Sequence, residues 1–167
     1  MSDLFGETKP MKALSLWQPW ASLVAAGVKI DETRHWSTDY RGPIAIQAAK
    51  TLDVAGAPDH LCLSVFGQFW PKQLPTGVVV CVAELYDCVP AERIAGYVSR
   101  PNLTAGNFAL GRFAWRLRNI RALAEPIPLI GRQGLFNWTP DPALESRLGP
   151  ARDHGAACNH YGLREAA

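Results

Sequence analysis

The densest chemical signal in the sequence is the pattern Gly27-x-Lys29-x-x-Glu32-x-Arg34. Glu32 and Arg34 lie two apart, so on a β-strand their side chains share a face. Lys29 falls at the preceding turn and can swing over the same mouth. Ile30 and Trp36 have the parity of Glu32 and Arg34, which flanks the charges with apolar groups. An ammonium beside a carboxylate in such surroundings is how enzymes hold a working acid or base. The same spacing also fits a plain salt bridge that closes the turn.

A second signal precedes it, at Leu14-Ser15-Leu16-Trp17-Gln18-Pro19-Trp20. Indole rings stack on bases, and an amide pairs with a base edge. Trp17, Gln18, Pro19 and Trp20 are therefore candidate ligand contacts, with the alternative that the tryptophans anchor the core. Glu84 sits in the apolar run Val80–Leu85. A buried carboxylate must be paired or protonated, so Glu84 reads either as a second acid or base or as the structural partner of an arginine. Tyr40 and Lys50 frame a predicted strand, and Lys50 at its end can contact phosphate or the cleft or simply be a solvated lysine. Asn107 can contact a base edge or simply adopt a turn conformation. Arg112, Arg116, Arg118, Arg121 and Arg132 make a basic stretch that can steer phosphate, or a solvated strand face.

Positioning these groups requires strands. Residues 12–17 alternate and read as a first strand. Pro19 opens a helix that Gly27 ends. Residues 30–36 predict a second strand and 44–49 a third, with a turn at 40–43 between them. A short helix is expected near 59–66 and a Pro-bounded loop at 71–75. Residues 78–89 form a long apolar strand, followed by a helix from Pro90 to Tyr97 and a loop over 99–111. Residues 112–123 predict another long strand, with Phe113, Trp115 and Leu117 on one face and Arg112, Arg116 and Arg118 on the other. A last strand covers 135–138, and a helical turn 143–148. This is a mainly β (α+β) pattern with a few flanking helices, and the strand spacing suggests a small closed or nearly closed barrel. Residues 1–11 read as a flexible leader, 12–140 as the domain, and 141–167 as a polar C-terminal extension.

The chain of 167 residues fits one domain. With 48% hydrophobic and 19% charged residues, the composition argues against intrinsic disorder. A net charge of +2 is too small to demand a polyanionic partner. The four cysteines, Cys62, Cys81, Cys88 and Cys158, form no CxxC pair. The start MSDLFGETKP is polar and no run is long enough to span a membrane, so the expectation is reduced thiols in a cytoplasmic protein with no membrane partner. His154, Cys158 and His160 match no standard zinc spacing. Neither a P-loop, a dinucleotide-binding glycine fingerprint nor a nucleophile elbow is present. No metal, cofactor or obligate protein partner is expected.

The run KALSLWQPWASLVAAGVKIDETRHWSTDYRGPIAIQAAK resembles the start of ASCH domains, whose hallmark is the G-x-K-x-x-E-x-R pattern. A long apolar strand carrying Glu84 and the segment GRFAWRL extend the resemblance over residues 12–138. It implies a PUA-like β-barrel. Members are linked to RNA or DNA binding, to ribonuclease activity and to hydrolysis of N4-acylated cytidine. In the small amidohydrolase members, the motif lysine works with a threonine three residues later and a more distant glutamate. Lys29 matches that lysine, while Glu32 stands at the threonine's position. Thr33 is adjacent but by strand parity faces away. Glu84 and Glu92 are the candidates for the distant glutamate.

The resemblance thus makes Lys29, Glu32 and Glu84 the expected catalytic residues. Trp17, Gln18, Pro19, Trp20, Arg34, Tyr40, Lys50 and Asn107 are the expected substrate contacts. The expected partner is a cytidine-type nucleoside or single-stranded RNA. The leading expectation is amide hydrolysis of an N4-acylated cytidine by an activated water. The alternatives are an RNA-binding module, a metal-independent ribonuclease, or a regulatory module that senses a modified base.

Overall fold

Continuous apolar runs in the longer strands, rather than strict alternation, mean that the sheet is covered on both faces. The computed structural model, which describes residues 9–152, has this arrangement. Its strands are β1 (Met11–Gln18), β2 (Asp31–Arg34), β3 (Gly42–Leu52), β4 (Val78–Pro90), β5 (Phe113–Pro128) and β6 (Leu135–Trp138). They form one sheet in the order β2-β5-β4-β3-β1-β6. β1 and β3 run parallel, and the other pairs are antiparallel. Helix α1 (Trp20–Ala25) packs Ala21 and Val24 against Leu14, Ile46, Leu85 and Trp115 in the main core. Ala13, Ala45 and Val79 point to the opposite face, where Phe136, Trp138 and Leu144 cover them.

The sheet is not closed into the expected barrel. Among the described residues β2 pairs only with β5, and β6 pairs only with the Met11–Leu14 half of β1, so that from Ser15 onward that edge of β1 carries no ladder. Strands this short leave a gap where a barrel would seal, and a side chain crosses it instead: Arg34 Nη2 donates to the Ser15 carbonyl at 3.3 Å.

Local signals explain the remaining differences. The expected 90–97 helix is only a 3-10 turn at Ala91–Arg93. The chain bends there to bury Ile94, Ala95 and Val98 against Ala91, Phe108 and Ala114. The expected 99–111 loop contains α4 (Arg100–Thr104), N-capped by Ser99 and with a proline in its first turn. Helix α2 (Asp59–Phe66) lies as expected, while α3 (Trp70–Gln73) occupies part of the expected Pro-bounded loop because Trp70 is buried. Residues 141–152 fold back on β5. Leu144 of α5 (Leu144–Arg147) is buried, Arg121 bridges Glu145 at 2.9 Å, and Arg152 N–H donates to the Ile120 carbonyl at 2.9 Å. The leader before residue 9, and His154, Cys158 and His160, lie outside the described residues. Among the described residues Cys62, Cys81 and Cys88 form no disulfide, and burial pushes the Cys62 thiol up to about 11. No described helix is long and apolar enough to cross a membrane.

Candidate functional site

The end of α1 fixes where Lys29 begins. Gly27 takes φ +75°, a conformation glycine reaches without a Cβ penalty. The chain then reverses, and the Val28 and Lys29 N–H groups both donate to the Leu23 carbonyl at 3.1 Å. The next two residues are clamped from α4. The Asn102 side-chain oxygen accepts from Ile30 N–H at 2.9 Å and Asp31 N–H at 3.1 Å. Its Nδ2 donates to Asp31 Oδ2 at 2.7 Å, and Arg116 Nε reaches Asp31 Oδ1 at 3.2 Å. Asp31 and Asn102 are both buried, so β2 starts from a fully paired polar knot.

On this support the three motif side chains form a chain of charges. Lys29 Nζ donates to the Asp31 carbonyl at 2.9 Å and stands 3.2 Å from Glu32 Oε2. Glu32 Oε1 lies 3.5 Å from Arg34 Nε. Side-chain exposure rises along the chain, from 2% at Lys29 through 10% at Glu32 to 25% at Arg34. Lys29 is therefore the floor and Arg34 the lip. They line a cleft of about 520 Å³ that occupies the unsealed gap between β1 and β2. Ser15–Trp17 and Trp20 form one wall, residues 56–58 and 104–107 the other, and Arg112 closes it beside Thr33. Trp17 is 54% exposed, an indole face open to solvent at the rim.

Of the residues singled out in the sequence, the cleft gathers Lys29, Glu32, Arg34, Trp17, Trp20 and Asn107. The others lie elsewhere. Gln18 is fully buried, its Nε2 donating to Ser22 Oγ at 2.8 Å and the Pro75 carbonyl at 2.6 Å. Gln18 thus ties α1 to the Pro75 carbonyl and does not line the cleft. Pro19 is buried at the head of α1, joined to Gln18 by a cis peptide bond, and does not line the cleft. Tyr40 donates its hydroxyl to the Pro43 carbonyl at 2.6 Å, and burial raises its phenol above the usual range. Lys50 lines a second groove of about 710 Å³ with Gln47 and Arg132.

Glu84 is also away from the cleft. Its register partner on β5 is Arg118, which grips the carboxylate at 2.6 and 3.0 Å, with Asn119 Nδ2 at 3.0 Å. The Arg118 hydrogen bond holds the Glu84 carboxyl below the usual glutamate range. Glu92, in the 3-10 turn, is exposed and outside the cleft too. The basic stretch is dispersed by the same kind of pairing. Arg116 binds Asp31, Arg118 binds Glu84 and Arg121 binds Glu145, while Arg116 and Arg118 both sit over the Tyr86 ring. Each of these three guanidinium groups is thus engaged with a carboxylate.

Two cleft groups were not legible as such. Arg112 read as one of the basic stretch, yet it turns away from it to donate from Nη2 to the Thr33 carbonyl at 2.8 Å. Thr33 lines the cleft as well, with its hydroxyl accepting from Asn107 N–H at 2.9 Å. The residues of α4 that frame the far wall carried one readable signal, the Ser99 cap followed by Pro101. Among the described residues, no group of three His, Cys, Asp or Glu side chains is placed to hold a metal ion.

A model of the family described as the ASCH domain matches residues 14–125. Among solved structures, the ASCH protein of Zymomonas mobilis superposes with a TM-score of 0.51 at 16% identity, over 84% of this chain and 97% of that one. A single-residue variant of the Zymomonas mobilis protein gives 0.50 at 17% identity, over 83% and 98%. At such identities the likeness is one of fold. No curated protein matches the chain.

Proposed function

Since the chain belongs to the ASCH domain family, whose members are RNA-binding or hydrolase-like, we propose that it hydrolyses the exocyclic amide of an N4-acylated cytidine in the cleft beside β2. The observation that carries this reading is the buried Lys29–Glu32 ion pair opening onto a cavity of about 520 Å³. That volume falls in the range of small-ligand sites.

Each group has a role its bonding leaves open. An ammonium has three donors. Lys29 directs them toward the Asp31 carbonyl and Glu32, which leaves one for an oxyanion. A carboxylate has about four lone-pair positions, so Glu32 can hold a water while it faces Lys29 and Arg34. In the proposed reaction Glu32 takes a proton from that water, and the hydroxide attacks the amide carbonyl carbon. Lys29 and Arg34 stabilise the oxyanion of the tetrahedral intermediate. The C–N bond then breaks, the proton held by Glu32 passes to the departing exocyclic nitrogen, and carboxylate and cytidine leave. Trp17 offers a stacking surface for the base. Glu32 acts here as a general base and not as a nucleophile, which accommodates its place where related amidohydrolases carry threonine.

The pairing of Arg116, Arg118 and Arg121 with carboxylates weighs against the RNA-track alternative. The test is incubation of the pure protein with N4-acetylcytidine, following release of acetate and cytidine. Turnover that disappears in folded Lys29→Met and Glu32→Gln variants supports the proposal. A folded wild-type protein that releases acetate from neither N4-acetylcytidine nor its 5′-monophosphate overturns it. In that case salt-sensitive binding of single-stranded RNA is the measurement that favours the binding-module reading.

A further inference from the structure

The charges and hydrogen bonds of the cleft do not close around a neutral nucleoside. Among the described residues its lining carries three cations, Lys29, Arg34 and Arg112, against the single carboxylate of Glu32. Arg116, Arg118 and Arg121 each hold an acidic partner, whereas Arg112 has none among the described residues. Arg112 donates from Nη2 to the Thr33 carbonyl at 2.8 Å. Among the described residues only three buried side-chain polar atoms lack a hydrogen-bond partner, Arg34 Nε, Arg112 Nε and Gln47 Oε1. Two of them belong to the two arginines of this cleft. Arg34 Nε meets Glu32 as an ion pair at 3.5 Å without a hydrogen bond. A charged donor in a low-dielectric site gains most from an anionic acceptor, so these two guanidinium groups favour a negatively charged ligand.

The two arginines are neighbours by construction. Arg34 pairs with Phe113 in the β2–β5 ladder, so Arg112 is next to the cross-strand partner of Arg34. We propose that the cleft recognises a phosphate ester, so that its ligand is a nucleotide in place of a free nucleoside, with Arg112 as the principal phosphate contact and Arg34 beside it. Planar guanidinium groups with several donors suit phosphate oxygens. A phosphate also supplies the negative charge that Glu32 alone does not. The identity of the base rests on the function proposed above, whereas the recognition of phosphate does not.

Calorimetric titration with cytidine and cytidine 5′-monophosphate separates the two. Neither ligand carries an acyl group, so hydrolysis does not enter. Wild-type protein is expected to bind the monophosphate about tenfold or more tightly than the nucleoside, as for hydrogen bonds to a charged group. In Arg112→Gln that ratio falls below about twofold. In Arg118→Gln, which alters an arginine outside the cleft, it persists. Equal wild-type affinities overturn the phosphate site whatever the hydrolysis assay shows, and this result needs no variant to fold. An equal loss of preference in Arg118→Gln also overturns it, by assigning the effect to the general field. Tight monophosphate binding without hydrolysis of N4-acetylcytidine or its monophosphate keeps the phosphate site and refutes the proposed reaction. A trinucleotide with a central cytidine then distinguishes sources: tighter binding than the monophosphate assigns the phosphate to an RNA chain, weaker binding to a free nucleotide.

Discussion

Replacing Glu32 by glutamine keeps the shape of the side chain and removes its charge, which strands two cations. The Lys29 side chain is 2% exposed and would be left with neutral acceptors alone, the Asp31 carbonyl and the glutamine amide oxygen. Removing one partner of a buried ion pair costs about 3–5 kcal/mol, because the other charge stays buried and uncompensated. The opposite change is milder. In Lys29→Met, Glu32 keeps Arg34 at 3.5 Å and the methionine refills the space, so about 1–3 kcal/mol is expected. The double variant Lys29→Met/Glu32→Gln removes the stranded ammonium and leaves an apolar floor under an amide. It is therefore expected to be more stable than Glu32→Gln alone. For a domain of this size each kcal/mol shifts Tm by about 2–4 °C. Glu32→Gln should then melt about 6–20 °C below wild type, with the double variant between the two. Urea unfolding of the four proteins at one pH, with hydrolysis assayed in parallel, measures the cycle. Stability should recover in the double variant while hydrolysis does not. Additive losses, with the double variant less stable than either single one, would refute the argument that Lys29 and Glu32 compensate each other in a low-dielectric site.

Asn102→Ala removes the acceptor for the Ile30 and Asp31 amides and a donor to buried Asp31. It should cost about 2–4 kcal/mol in urea unfolding, and a loss below 1 kcal/mol would show that β2 is held from elsewhere. Trp17 is exposed, so Trp17→Ala should leave Tm within a few degrees of wild type and weaken cytidine binding by about 1–3 kcal/mol in calorimetry. Unchanged affinity would remove stacking from the site. Glu84 is expected to matter for stability alone. Arg118 depresses its folded-state carboxyl, so its contribution is present above the usual glutamate range and is lost as pH falls through the lowered value. The Tm difference between wild type and Glu84→Gln should accordingly shrink from about pH 6 to about pH 3, while hydrolysis by the variant matches wild type. A difference that widens in acid contradicts the sign.

Strand parity and helix punctuation are local properties of the backbone, and they were readable. Alternation marked β1, Pro19 and Gly27 bracketed α1, and the two-residue spacing put Glu32 and Arg34 together. The family pattern at Gly27, Lys29, Glu32 and Arg34 was equally plain. Local rules do not say which group a side chain meets across the sheet. Glu84 leaves the candidate chemistry because the β4–β5 register sets it opposite Arg118. Arg112 enters the cleft because its guanidinium reaches the Thr33 carbonyl, which no periodicity on β5 announces. Gln18 and Asn102 spend their amides on backbone and side-chain groups distant in sequence. The open seam has the same origin. Six strands permit a barrel, but closure depends on how far the edge strands pair, and β6 stops at Leu14 while β2 is only four residues long. Strand identity follows from nearest neighbours along the chain, whereas pairing extent, partner choice and the cleft they leave follow from contacts between residues far apart in it.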